Sequence, residues 1–255
     1  MRSLEFMVAL GAASFVCLGA GGALAQDAPW NGFYVGGNIG ASWGDTKLSM
    51  TAAAGSGGTV ISPGDIGLIN AVSNDDDNDI GFTGGLQTGY NYWSGSWLIG
   101  LETDINYYNL GQDREKTYQS GLVVVSPISF TIEQTIKTDW LWTLRPRIGF
   151  GNDAWLVYAT GGVAVSDVEL TTRYYDTRPT PITGNNEQSD IEIGWTAGVG
   201  GAYALGDYTS VRVEWLYTDF GTIKSQGTVG NNYATLSSEA DARGNLVRIG
   251  LDYTF

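Results

Sequence analysis

The chain of 255 residues contains no histidine, and this absence excludes more chemistry than any other feature of its composition. A Ser-His-Asp triad, a His-ligated zinc site and a His-ligated haem are all ruled out. The single cysteine, Cys17, lies in an apolar N-terminal segment. The rest of the chain therefore has no disulfide, no thiolate metal site and no thiol redox chemistry. An active site built from carboxylates alone remains open, but we expect a protein that is not an enzyme.

Basic residues are also scarce. The chain carries 13 Lys and Arg against 27 Asp and Glu, which gives a net charge of −14 and a pI near 4.2. Such a chain repels the backbone of nucleic acids, so we expect no nucleic-acid partner. With 37 glycines and no helical periodicity of useful length, the sequence does not predict a helical domain.

The first 25 residues have the pattern of an export signal. Arg2 precedes an apolar run from Phe6 to Leu18, and Ala23-Leu24-Ala25 fits the small-x-small cleavage pattern, with Ala23 and Ala25 as its small residues. We predict a cleaved signal peptide over 1–25 and one domain over 26–255. No run of 18 apolar residues follows the signal, so an exported chain is either a soluble secreted protein or a β-barrel.

Eight later segments alternate between apolar and polar or small residues, which is the period of a β-strand with two different faces. They lie at 33–42, 82–92, 97–106, 139–150, 155–165, 192–203, 211–218 and 248–255. Long connections over 43–79, 109–135, 169–189 and 222–241 alternate with short turns near 94–95, 151–153 and 206–207. This alternation predicts an all-β fold, an eight-stranded antiparallel up-and-down transmembrane β-barrel with four long extracellular loops and three short periplasmic turns.

The aromatic residues support the barrel independently of the alternation. Each predicted strand has an aromatic residue at its periplasmic end, and together these predict an aromatic girdle at one membrane interface: Phe33, Tyr90, Trp97, Phe150, Trp155, Tyr203, Tyr208, Tyr253 and Phe255. A second belt is predicted near the opposite ends from Trp43, Tyr107, Trp140 and Tyr217. A soluble β-sandwich with an aromatic core explains the alternation but not the two matched rings.

If the apolar face meets lipid, the other face collects four acids and four bases in the lumen. The predicted lumen charge network consists of Glu102, Asp104, Arg145, Arg147, Arg212, Glu214, Arg248 and Asp252. An eight-stranded barrel is just wide enough for side chains to fill it, and buried charges must be paired. Two interpretations remain open, an ion-pair network that closes the lumen and a narrow, gated polar path.

Pro146 cannot donate a ladder hydrogen bond, so we expect a bulge or local fraying there.

The acidic run Asn74–Asp79 in the first long loop suggests a calcium site. An EF-hand loop counted from Asp75 needs Gly at its sixth position and Glu at its twelfth, where this chain has Ile80 and Leu86. We therefore predict a solvated acidic loop, with weak cation binding that bridges to phosphates of surface lipid as the alternative. No metal site and no cofactor are predicted.

The apolar segments on either side of Pro127 predict a hairpin above the membrane.

Several motifs together resemble a known family. They are Trp30-Asn-Gly-Phe-Tyr-Val-Gly-Gly-Asn38, Gly84-Gly-Leu-Gln-Thr-Gly-Tyr-Asn91, Leu156-Val-Tyr-Ala-Thr-Gly-Gly162, Gly194-Trp-Thr-Ala-Gly198, Glu214-Trp-Leu-Tyr-Thr-Asp-Phe-Gly221 and Val247-Arg-Ile-Gly-Leu-Asp-Tyr-Thr-Phe255. They resemble the porin-like outer-membrane proteins of α-proteobacteria, small barrels often called outer membrane immunogenic proteins and related to the OmpA transmembrane domain. The resemblance covers essentially the whole chain after the signal.

The resemblance implies location in the bacterial outer membrane and delivery by the barrel assembly machinery, with Tyr253 and Phe255 in the assembly signal. Full OmpA proteins add a peptidoglycan-binding domain after the barrel, and we expect this chain to lack it. The haem binding described for some family members is not carried over, because the chain has no histidine.

The function predicted from the sequence is a structural role in envelope integrity, with loops exposed outside. The main alternative is a narrow porin for small solutes or ions, and a lesser one is ligand binding or adhesion through the long loops. Outer-membrane lipid and lipopolysaccharide are the expected partners, and the oligomeric state stays open.

Overall fold

The computed structural model describes residues 29–44, 47–54, 56, 75–76, 80–108, 112–120, 128–177, 183–229 and 234–255. The predicted signal peptide and its cleavage residues Ala23 and Ala25 lie outside these ranges. Among the residues that the structure describes, no helix is long and apolar enough to cross a membrane.

The described residues form twelve β-strands. They are β1 (Gly32–Gly44), β2 (Lys47–Ala54), β3 (Asp75–Asp76), β4 (Ile80–Ser94), β5 (Trp97–Tyr108), β6 (Gln112–Ser120), β7 (Ile128–Lys137), β8 (Trp140–Gly151), β9 (Trp155–Asp176), β10 (Thr183–Ala204), β11 (Thr209–Val229) and β12 (Ala234–Thr254).

Eight of these strands close into an antiparallel ring in the order β1-β4-β5-β8-β9-β10-β11-β12. The ring closes between β1 and β12, whose register runs from Tyr34 opposite Thr254 to Gly44 opposite Gly244. Short turns join β4 to β5, β8 to β9 and β10 to β11. The predicted eight-stranded up-and-down ring is therefore confirmed. The end with these turns and the start of β1 is called the turn end, and the opposite end is called the loop end.

The strands reach further toward the loop end than the sequence pattern predicted. β9 pairs with β10 up to Tyr175 opposite Thr183, and β11 pairs with β12 up to Val229 opposite Ala234. The predicted loops over 169–189 and 222–241 are therefore wrong in extent, and the connections shrink to 177–182 and 230–233. Neither face of these extensions meets lipid, so both faces carry polar residues and the apolar alternation fades.

The other two long connections also contain strands. β6 pairs with β7 as a hairpin, and β7 continues the sheet by pairing with β9. In the first connection, β2 pairs with β12, and Asp75 and Asp76 of the acidic run pair with β2 as strand β3. The run is thus not wholly a loop, and its residues 74 and 77–79 lie outside the described residues.

Two irregularities mark the ring. On the β9 side of β8, the residue pairs skip Arg145 and Pro146 and resume in the same register, so Pro146 causes a local interruption of the ladder without a bulge. A register shift does occur in β11 between Asp219 and Thr222, where Gly221 has a φ of 77°. β11 pairs with β10 only up to Asp219 and continues beyond this bulge with β12.

Alternate side chains point into the lumen and out of the ring, as the period of a strand requires. The outward set is apolar and exposed, with Ile99, Leu101, Ile148, Ile193 and Leu251 as examples. This band spans eleven residues from Trp97 to Tyr107, which corresponds to about 25 Å at the rise and tilt of barrel strands. That height matches the hydrocarbon core of an outer membrane.

The two predicted aromatic belts differ in the structure. At the turn end, the predicted girdle residues Phe33, Tyr90, Trp97, Phe150, Trp155, Tyr203 and Tyr208 are all exposed. At the loop end, Tyr107 is exposed, whereas Trp140 is only 6% exposed and contributes little to a lipid-facing belt.

Candidate functional site

The eight charged residues predicted in the lumen lie on four strands. Each strand contributes two side chains of its inward face: Glu102 and Asp104 from β5, Arg145 and Arg147 from β8, Arg212 and Glu214 from β11, and Arg248 and Asp252 from β12. All are buried, with at most 7% of the residue surface exposed. The β5–β8 pair of strands stands opposite the β11–β12 pair in the ring, so ion pairs between them cross the lumen.

Glu102 is the central acceptor of this network. Arg145 Nη2 lies 2.5 Å from Glu102 Oε1, and Arg147 Nη1 lies 3.1 Å from Oε2. Arg212 Nη1 donates to the same Oε2 from the opposite wall. The Tyr34 hydroxyl also donates to Oε2, at 2.5 Å. One carboxylate thus accepts hydrogen bonds from three arginines and a tyrosine that lie on three other strands, β1, β8 and β11.

A second group of contacts joins Asp104 and Glu214 across the lumen. Arg248 Nη2 lies 3.0 Å from Asp104 Oδ2 and 2.6 Å from Glu214 Oε2. Arg145 bridges the same two acids, with Nη2 at 2.6 Å from Asp104 Oδ2 and Nη1 at 3.3 Å from Glu214 Oε2. Every carboxylate in this group contacts at least two guanidinium groups, so the buried charges are compensated.

Asp252 lies at the margin of the network. Its Oδ2 is 3.4 Å from Arg212 Nε, and its Oδ1 accepts a hydrogen bond from Gln87 Nε2 at 2.8 Å. Asn38 Nδ2 donates in turn to Gln87 Oε1 at 2.7 Å. With Asp252 included, four acids and four arginines share the lumen, and the formal charges of this set cancel.

Two tyrosines, which the pattern of charged residues does not reveal, complete the network. Tyr158 donates from its hydroxyl to Glu214 Oε1 at 3.0 Å. The Arg147 guanidinium lies 4.1 Å from the centroid of the Tyr158 ring and 5.6 Å from that of Tyr34. Both tyrosines occupy inward positions of their strands, which was the signal that could have identified them.

Glycines on the inner wall make room for these large side chains. A Cβ atom at Gly89 would lie 2.5 Å from the Tyr34 hydroxyl oxygen, and one at Gly200 would lie 2.4 Å from Tyr158 Cζ. Both distances are shorter than any van der Waals contact. The inward glycines therefore leave the space beside the neighbouring strands that the two tyrosine side chains occupy.

Apolar layers lie on both sides of the charge network. The loop-end layer consists of Tyr108, Leu141, Ala164, Val168, Leu216, Phe220, Ile223, Ala240, Ala242 and Leu246. The turn-end layer consists of Trp30, Leu98, Leu156, Tyr158 and Ala202, with Trp93 and Ala204 packed against it. The lumen is therefore filled by side chains at three successive levels.

Within the described ranges, no group of three or more His, Cys, Asp or Glu residues has the arrangement of a metal site. The lumen carboxylates Glu102, Asp104 and Glu214 are each in contact with arginine.

A closed antiparallel ring with an apolar, aromatic-rimmed outer face and a polar, filled interior defines the chain as a transmembrane β-barrel. The chain belongs to the outer membrane protein beta-barrel domain family, whose model matches residues 13–255. It is an outer-membrane protein, as the sequence resemblance implied.

The relatives found by sequence agree with this assignment. The chain is 26% identical to a 31 kDa outer-membrane immunogenic protein of Brucella melitensis, over 89% of this chain and 84% of the relative. It is 28% identical to a 22 kDa outer membrane protein of Rhizobium leguminosarum, over 77% of this chain and 70% of the relative. Among solved structures, the outer membrane protein OprG of Pseudomonas aeruginosa covers 90% of this chain and 100% of its own, with a TM-score of 0.44 and 14% identity.

Proposed function

We propose that this outer-membrane barrel is closed and non-enzymatic, and that it contributes to the integrity of the envelope while its loop end faces outside. The observation that carries the proposal is the filled lumen, in which a charge-balanced ion-pair network lies between two apolar layers. An ion that crossed this barrel would have to separate arginines from carboxylates at contact distance. Breaking one such buried pair costs roughly 3–5 kcal/mol, so passage would be rare.

The proposal of a non-enzymatic role rests on the side chains available for chemistry. The chain has no histidine, and Cys17 is its only cysteine. Glu102, Asp104 and Glu214 are each held by arginines in the lumen. A carboxylate that is fully paired in this way is a weak general base, because its negative charge is already stabilised.

Conductance in planar bilayers tests the closed lumen directly. The purified barrel is expected to give no steady channel conductance, because side chains fill its whole cross-section. The positive control is a refolded variant in which the lumen arginines Arg145 and Arg248 are both replaced with alanine. These substitutions remove the ion pairs that bridge the lumen. Stable channels of hundreds of picosiemens from the unmodified protein, an order of magnitude set by lumen width, would contradict the proposal.

The second candidate function is a narrow porin, and one observation favours it. Among the described residues, Arg212 Nη2, Arg248 Nη1 and Asn38 Oδ1 are buried without a hydrogen-bond partner. Buried polar groups usually bind ordered water when no protein group is in reach. A chain of such waters would give small solutes a path beside the network. Liposome swelling with small sugars separates the two candidates, because only a porin accelerates swelling and responds to neutralisation of Glu102 or Arg145.

The partners that fit the outer surface are membrane lipid and lipopolysaccharide. Toward the loop end, the exposed apolar band gives way to charged and polar residues such as Asp167, Asp219 and Arg243. These residues lie at the level expected for lipid head groups. Surface ligand binding or adhesion through the loop end is a lesser candidate, supported by the strand extensions beyond the band. We also infer that the barrel assembly machinery inserts the chain through its C-terminal strand.

Deletion of Phe255 is expected to reduce assembly in cells with little effect on the folded barrel. Phe255 is exposed, contacts the Tyr253 ring edge-on at 5.2 Å, and donates its backbone N–H to Phe33 O at 2.8 Å. Its loss therefore removes one ladder hydrogen bond, a small energy for a barrel. The heat-modifiable band in outer-membrane fractions should fall strongly, whereas refolding of the same variant in detergent should proceed. Normal levels in the outer membrane would exclude the assembly-signal role.

A further inference from the structure

The turn end of the barrel is closed by a residue that precedes the first strand. Trp30 lies two positions before β1, yet only 4% of its surface is exposed. It packs in the turn-end layer with Leu98, Leu156 and Ala202, which are inward-facing residues of β5, β9 and β10. The Trp30 side chain therefore turns into the mouth of the barrel from the residues just before β1.

Trp30 reaches across the mouth to the opposite wall. Its indole Nε1 donates to the backbone oxygen of Asn152 at 2.8 Å, although the two residues are 122 positions apart. Asn152 lies in the turn between β8 and β9, which are the fourth and fifth strands of the ring when β1 is the first. A contact from the first strand to that turn spans the full width of an eight-stranded barrel.

The segment that carries Trp30 is held at two further points. Asn31 Oδ1 accepts a hydrogen bond from the backbone N–H of Trp93 at 3.1 Å. Gly32 has a φ of 120°, a conformation that favours glycine, and a Cβ atom there would lie 3.0 Å from Phe255 O. The inward turn is thus built into the backbone where β1 meets the C-terminal end of β12.

We propose that Trp30 is a stopper that seals the turn-end mouth and separates the charge network from the periplasm. The inference rests on the proposed closed barrel but adds a second closure on the turn-end side of the ion pairs, made by the packing of Trp30 and its hydrogen bond. The stopper consists of the Trp30 side chain, its hydrogen bond to Asn152 and the turn at Gly32. It also ties the start of β1 to the opposite wall.

Thiol labelling tests the stopper. In a Cys17→Ser background the chain has no cysteine, so a single one can be introduced at Ala202, which is 9% exposed and belongs to the same turn-end layer as Trp30. A small, charged thiol reagent should react with A202C slowly when Trp30 is present. Replacing Trp30 with alanine should raise that rate at least about tenfold, because the mouth then admits the reagent.

Three matched variants make the result specific. L205C, in the exposed turn between β10 and β11, should react rapidly with or without Trp30. W97A removes a lipid-facing tryptophan at the same end of the barrel and should leave A202C protected. W30F keeps a ring in the mouth but loses the hydrogen bond to Asn152, so it should give an intermediate rate and serves if W30A folds poorly.

Heat-modifiable migration of each variant shows that the barrel is folded before it is labelled. Rapid labelling of A202C in the presence of Trp30, or equal rates in the Trp30, W30F and W30A proteins, would overturn the stopper. Bilayer conductance of the unmodified protein distinguishes this failure from that of the proposed function. A protein that does not conduct but labels rapidly is closed by the ion pairs without a stopper, whereas one that conducts is not closed at all.

Discussion

Replacement of Glu102 with glutamine is expected to destabilise the folded barrel by about 3–5 kcal/mol, the range found when one partner of a buried ion pair is removed. The substitution keeps the shape of the side chain and removes only its charge. Arg145, Arg147 and Arg212 would then lose their shared carboxylate in a part of the lumen with almost no access to solvent. Urea unfolding in detergent micelles, followed by tryptophan fluorescence and by the heat-modifiable band, measures the loss.

The chain offers a matched control for this substitution. Glu239 makes an ion pair with Lys224 at 2.8 Å on the outside of the loop end, where both side chains are well exposed. Glu239→Gln is the same chemical change in a solvated pair, so its effect on the unfolding midpoint should be far smaller. Equal effects of the two substitutions would show that water screens the lumen charges, and they would favour the porin over the closed barrel.

The ring and its inward set were predictable from the sequence because lipid and lumen demand different residues. Period-two alternation is strong wherever one face meets hydrocarbon, as from Trp97 to Tyr107, and it fixes which face each charge occupies. All eight charged residues predicted in the lumen lie there. Beyond the apolar band the contrast between faces disappears, which is why the sequence pattern predicts loops where β9 to β12 extend.

The partners of the lumen residues were not predictable in the same way. Alternation gives a face, but contacts such as Arg212 with Glu102 depend on which strands stand opposite in the closed ring. Trp30 illustrates a further limit. It precedes the first alternating segment, so no periodicity marks it as inward, and its burial depends on the turn at Gly32.

Gly36 is the position where a single added methyl group is expected to do the most damage to the barrel. An alanine Cβ there would lie 2.0 Å from Asp252 Oδ1, 2.5 Å from Gln87 Nε2 and 2.4 Å from Leu251 O. The first two atoms belong to side chains that can rotate only by giving up their mutual hydrogen bond. Leu251 O belongs to the backbone of β12, so relief requires movement at the contact that closes the ring between β1 and β12.

The expected cost of Gly36→Ala is about 3 kcal/mol, the upper end for overpacking a well-packed interior, and the folded, heat-modifiable band should nearly vanish from outer-membrane fractions. Gly37→Ala is the adjacent control. Gly37 faces outward, and its Cβ would meet nothing closer than Gly85 O at 3.7 Å. Because alanine restricts the unfolded chain more than glycine does, that variant should be as stable as the unmodified protein or slightly more so. If both variants assembled equally well, the inner wall beside Asp252 would be less densely packed than the structure shows. Dense packing would then no longer support a closed lumen.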